Sequence, residues 1–94
     1  MGYKERLNRV IPGGAHTYSK GHDQFPENAP ELLISGNGSY VFDADGTRYL
    51  DYGMALRSVN IGYSNEEIND AAFEEARKGN NLTRPSMIEL EAAE

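Results

Sequence analysis

The chain contains no cysteine, which removes a disulfide framework, a thiolate zinc site and a cysteine nucleophile together. Positive charge is scarce as well. Nine lysines and arginines stand against fifteen aspartates and glutamates, for a net charge of −6. Without a basic patch, neither nucleic acid nor an acidic membrane surface is expected as a partner. Long apolar runs are missing. The opening "MGYKERLNRV" is charged along its length, so it reads as neither a secretory leader nor a membrane span. Arg6 occupies the position where N-myristoylation requires serine or threonine. A cytoplasmic protein is the resulting expectation. No G-K-[ST] occurs, hence no P-loop, and Val41 stands where Gly36-x-Gly38 would need its third glycine to make a dinucleotide fingerprint. Asp43-x-Asp45-Gly46 begins like a calcium loop, but the outer ligand positions hold Val41 and Tyr52. What remains is 94 residues, 38% apolar, enough for one small domain that buries roughly 60–65% of its surface.

Tyr3, Leu7, Val10 and Ile11 recur with helical spacing, and Pro12-Gly13-Gly14 stops the helix they predict. Residues 12 to 31 lack periodicity and hold both histidines, three prolines and the hydroxyls of Thr17, Tyr18 and Ser19. A loop of that length inside a small domain points to function or disorder. His16 and His22, with Asp23 beside the second, lack a third ligand in place and read as solvated rather than metal-bound. From Leu32 onward, "LLIS", "SYVFD" and "TRYLDY" are short runs rich in β-branched and aromatic residues, divided by turn clusters at 36–38 and 43–46. They predict a three-stranded antiparallel meander with Tyr40 and Phe42 on one face and Val41 on the other. Asp45-Gly46 is a hairpin signal because both positions tolerate positive φ.

Ser64-Asn65-Glu66-Glu67 reads as a capping box with Ser64 as the cap. The helix it opens carries Ile68, Ala71, Ala72 and Ala76 and ends at Gly79. A second box, Ser86 with Glu89, opens a helix through Met87, Ile88 and Leu90 that reaches Glu94 without a C-cap and reads as unfinished. The class is therefore α+β. Residues 1–63 hold the first helix, the loop and the small sheet, and residues 64–94 hold the later helices.

In collinear order, "VIPGGAHTYSK", "ISGNGSYVFDADGTRYLDYGMALRSVNIGYSNEEINDA" and "KGNNLTRPSMIELEAAE" resemble the amino-terminal part of class III aminotransferases. The similarity is to the group around glutamate-1-semialdehyde aminomutase. The glycine–x–glycine–x–tyrosine motif, followed by aspartate–x–aspartate–glycine–x–x–tyrosine–x–aspartate, is its most specific part. The resemblance implies the amino-terminal portion of a fold-type I transferase that uses pyridoxal 5'-phosphate on a small amino-acid, keto or aldehyde substrate, normally as a homodimer. It also implies that the lysine forming the imine lies beyond residue 94, so that this segment alone is inactive. None of Lys4, Lys20 and Lys78 sits in the family's lysine context. The serine and arginine that help the aminomutases hold a substrate carboxylate correspond to Thr17 and Lys20. Leu56 stands where they place a pocket tryptophan, Arg57 follows it, and Gly62-Tyr63 replaces glycine–histidine. Arg57, more than Lys20, is expected to grip a carboxylate, because a guanidinium can offer two parallel bonds. A stand-alone acidic interaction module without chemistry is the alternative.

Overall fold

The computed structural model describes residues 2–94, and the chain divides into two compact units, Met1–Tyr63 and Ser64–Glu94. Unit 1 opens with helix α1, Tyr3–Val10, which ends as its sequence predicts. Ile11 turns extended, and Gly13 and Gly14 take φ of 76° and 77°, left-handed values that glycine adopts at little cost. No side chain of the helix caps its first turn. The Glu31 carboxylate accepts the Lys4 amide at 2.9 Å instead, so an acid from far along the chain serves the positive end of α1. Between them, residues 12–31 form an irregular loop broken only by 3-10 turns at Pro12–Gly14, Tyr18–Lys20 and His22–Gln24.

The sheet consists of β1 (Leu33–Asn37), β2 (Tyr40–Asp43) and β3 (Arg48–Leu50), antiparallel and in chain order. Asn37 pairs with Tyr40, so the first hairpin turns through Gly38 and Ser39 alone, with Gly38 at φ 57°. A tight turn matched to strand twist needs that positive φ. The second hairpin differs from the simple expectation. Only Gly46 is left-handed, at φ 83°, whereas Asp45 is not. Asp43 makes the difference: its Oδ1 accepts the Asp45 and Thr47 amides at 2.9 and 2.8 Å, an Asx turn that widens the loop to three residues. Partial burial raises the Asp43 carboxyl, but bonds from the Thr47 amide, the Tyr49 hydroxyl and the Asp45 amide outweigh it and hold it below its ordinary value.

The alternation in β2 is as the sequence predicts. Tyr40 and Phe42 share a face with their partners Leu50 and Arg48, and the Arg48 guanidinium lies 4.3 Å from the Tyr40 ring centre, a cation–π contact. Val41 points the other way. At 7% exposure it is the buried apolar side chain among the described residues.

Helix α2, Met54–Arg57, is a single turn of the wrong hand, with φ of 48°, 47°, 59° and 74° in succession. No sequence signal predicts it. In unit 2, α3 runs Glu66–Ala76 and α4 runs Met87–Ala93. The cap of α3 is Asn65, whose Oδ1 accepts the Ile68 amide at 3.1 Å, not Ser64 as the capping-box reading has it. Ser64 takes φ 57° and so leads into the helix rather than capping it, and asparagine caps at least as well as serine. The second box forms as predicted, with Glu89 Oε2 accepting both the Ser86 amide and its hydroxyl. Those bonds hold the Glu89 carboxyl below its ordinary value. Gly79 is left-handed past the end of α3, at φ 92°. Among the described residues, no helix is long and apolar enough to cross a membrane.

Candidate functional site

A cleft of about 910 Å³ lies within unit 1, between the irregular loop, β1 and the turn after β3. That size suits a small organic molecule. Its apolar wall comes from Leu7, Phe25, Leu33, Ile34, Val41 and Leu56. Charge enters through Lys4 and Lys20 on one hand and Glu27, Glu31 and Asp51 on the other, with the His22 ring beside them. The acids are partly committed, Glu31 to the Lys4 amide and Asp51 to three donors. The ion pairs among the described residues, Arg77–Glu74 and Lys78–Glu75, both lie in unit 2. The Lys20 ammonium thus meets the cleft without an ion-pair partner, free to take an anion.

Asp51 organises the cleft's far wall. Its Oδ1 accepts the Gly53 and Met54 amides at 2.9 and 3.3 Å, and its Oδ2 accepts the Tyr63 hydroxyl. Tyr63 is fixed in turn by an antiparallel bridge to Gly38, with backbone bonds of 2.8 and 2.9 Å. Its ring covers Gly36 so closely that a Cβ added there would lie 2.6 Å from the ring's first carbon. The bond to Asp51, with partial burial and the carboxylate's charge, raises the Tyr63 hydroxyl above its ordinary value.

The turn beginning at Met54 is costly by itself. Left-handed backbone costs a non-glycine residue roughly 1–2 kcal/mol, so four in a row amount to roughly 4–8 kcal/mol. Such strain persists only where the surroundings impose it. The bonds to Asp51 at its start, Val59 N to Met54 O at 3.0 Å and Ser58 Oγ to Ala55 O at 2.7 Å do so here. The consequence is positional: Ala55 and Leu56 line the cleft.

Of the four side chains singled out from the sequence, the cleft brings two together, Lys20 and Leu56. Thr17 stands outside its lining, half-buried, with its hydroxyl 2.8 Å from His16 Nδ1. Its carbonyl accepts the Lys20 amide at 3.0 Å, so the pair shares one turn of backbone. Arg57 closes α2 and is exposed, also outside the lining. Asp51 and Glu31 escaped sequence reasoning as site residues, and Tyr63 entered it only as the replacement for a family histidine, without its bond to Asp51. A signal existed for Asp51, since aspartate two residues before glycine is the pattern of an Asx turn. A smaller hollow of about 390 Å³ lies between Pro12, His16, Tyr18 and His22.

No family model matches the chain. Solved structures do. Over 95% of its length the chain superposes on the FumI protein of a Sphingopyxis species, solved in its pyridoxal-phosphate internal aldimine form, at 32% identity and a TM-score of 0.82. A β-phenylalanine aminotransferase from Variovorax paradoxus matches 88% of it at 31% identity, TM-score 0.70. A glutamate-1-semialdehyde aminomutase from Pseudomonas aeruginosa matches 96% at 27%, TM-score 0.80. The chain spans about a fifth of each of these proteins: 21%, 18% and 19%.

Proposed function

We propose that this chain, whose fold is that of a segment of pyridoxal-phosphate-dependent class III aminotransferases, is the amino-terminal, pocket-forming part of such an aminotransferase or aminomutase. The observation that carries the reading is the superposition on the FumI protein over 95% of the chain, with the cleft built inside the matched fold. The setting is a cytoplasmic homodimer acting on a small amino-acid, keto or aldehyde substrate. When bound, the cofactor supplies an electron sink for charge developing at the substrate's reacting carbon.

The residues present do not fit the cofactor itself. An imine-forming lysine must give up its proton readily, which desolvation favours. Lys4 and Lys20 are exposed. Lys78 bonds Glu75 at 2.8 Å, and that carboxylate raises its ammonium above the ordinary value. The segment's contribution is therefore to the substrate. Of the two lysines that line the cleft without an ion-pair partner among the described residues, Lys4 and Lys20, we place the carboxylate grip on Lys20, which stands in the loop beside Thr17, rather than on Arg57. Thr17 supports it by holding the turn that presents it. Leu56 and the apolar wall receive the substrate's carbon chain.

The full-length polypeptide tests the reading. Borohydride should fix pyridoxal phosphate to a lysine beyond residue 94, and trapping on Lys4, Lys20 or Lys78 would refute it. In the same protein, removing one partner of a charged hydrogen-bonded pair costs about 2–5 kcal/mol, so Lys20→Ala should raise KM for a carboxylate substrate roughly 30-fold or more. Arg57→Ala should change it by less than about threefold, as for a screened surface charge. The reverse order would return the grip to Arg57.

A further inference from the structure

We infer that Tyr63 and Asp51 form a positioning pair that sets substrate selectivity through Leu56, by holding the left-handed turn α2 against the cleft. The inference rests on the proposed function for its substrate and on the fold for its mechanics. Asp51 joins the two parts: one oxygen takes the amides at the entry to α2, the other the hydroxyl of Tyr63, and the Ala55 backbone within α2 also bonds that hydroxyl. Tyr63 is anchored at two further points, the backbone bridge to Gly38 and the ring over Gly36. Its position therefore belongs to the sheet. The four residues of α2 adopt a backbone that their side chains oppose, so the turn takes its shape from what holds its ends. Leu56 sits at its third position and lines the cleft. Sheet, tyrosine, aspartate, turn and leucine are thus coupled, and the width of the cleft beside Leu56 depends on a hydroxyl that need not touch the substrate.

The test uses the full-length holoenzyme with Tyr63→Phe, Leu56→Ala and the double variant. Its measure is the ratio of kcat/KM for a donor bearing an aryl group to that for a methyl-bearing donor. Opening an apolar wall by a few methylenes alters such ratios on the order of tenfold or more, so each single variant should raise the ratio by about that factor. The double variant should do no better than the larger single, because both act on one wall. A purely structural tyrosine would lower both rates alike and leave the ratio where it was. An unchanged ratio in Tyr63→Phe, or a double variant equal to the product of the singles, overturns the inference. Trypsin cleavage after Arg57 reads the turn without any reaction. It should accelerate in Tyr63→Phe, and an unchanged rate also overturns the inference. Accelerated cleavage in a polypeptide that transfers no amine from any donor would instead refute the proposed function and leave the hold on the turn standing.

Discussion

Gly36→Ala is expected to cost the full-length protein more stability than Gly38→Ala, although Gly38 has the unusual backbone and Gly36 does not. Gly38 sits at φ 57°, yet a Cβ there meets nothing within 4 Å. Its substitution costs the left-handed strain alone, about 1–2 kcal/mol. At Gly36 the new carbon would lie 2.6 and 2.9 Å from Tyr63 Cγ and Cβ. Those atoms form the root of the side chain, and the Tyr63 backbone is tied to Gly38 on both sides. Tyr63 has no room to swing, so relief requires breaking the bridge and releasing Asp51. Overpacking of about 1–3 kcal/mol plus two lost backbone bonds near 1 kcal/mol each gives roughly 3–5 kcal/mol. Thermal unfolding of the two variants measures the order, and a Gly38→Ala protein that melts first would contradict the contact.

The second large effect concerns residues 1–94 by themselves. They should show no cooperative melting transition and should self-associate. Ordering a residue costs about 1–2 kcal/mol of backbone entropy, and apolar burial is what ordinarily offsets it. Here, among the described residues, one apolar side chain, Val41, is buried. Meanwhile Phe25, Ile34 and Leu56 in unit 1, and Ile68, Phe73 and Met87 in unit 2, keep about half or more of their surface in water. Apolar side chains left in water in such number favour association that covers them. Calorimetry and sedimentation on the isolated chain decide the matter. A monomer with a sharp two-state transition, and strong amide protection over residues 65–78, would show that the two units suffice for a fold.

The parts of the fold that were legible from the sequence are those whose causes are local. Period and breakers delimit α1, alternation sets the faces of β2, and Ser86 with Glu89 marks the start of α4. Where two local candidates stood side by side, as with Ser64 and Asn65, the pattern alone chose the wrong one. The hairpin after β2 shows a subtler miss, because the Asp43 side chain reshaped a turn that backbone preference describes more simply. The far wall of the cleft was not legible. Four ordinary residues in "MALR" give no hint of left-handed backbone, since its cause lies in Asp51 and, through it, in a tyrosine twelve residues downstream. The lining is likewise a product of folding: Lys20 and Leu56 belong to different loops, and nothing in their spacing separates them from Thr17 and Arg57.

The bridge between Gly38 and Tyr63 also orders events in time. The two hairpins close over two and three residues, whereas this bridge joins positions twenty-five apart along the chain. The entropy of bringing ends together grows with the length of the loop between them, and long closures form after short ones. The sheet therefore assembles first, and the aspartate's grip on the turn comes late. In reverse, the bridge is the first tie to loosen, an order that amide exchange at Tyr63 against Val41 reads directly. The wall that narrows the cleft keeps a faster clock than the sheet behind it.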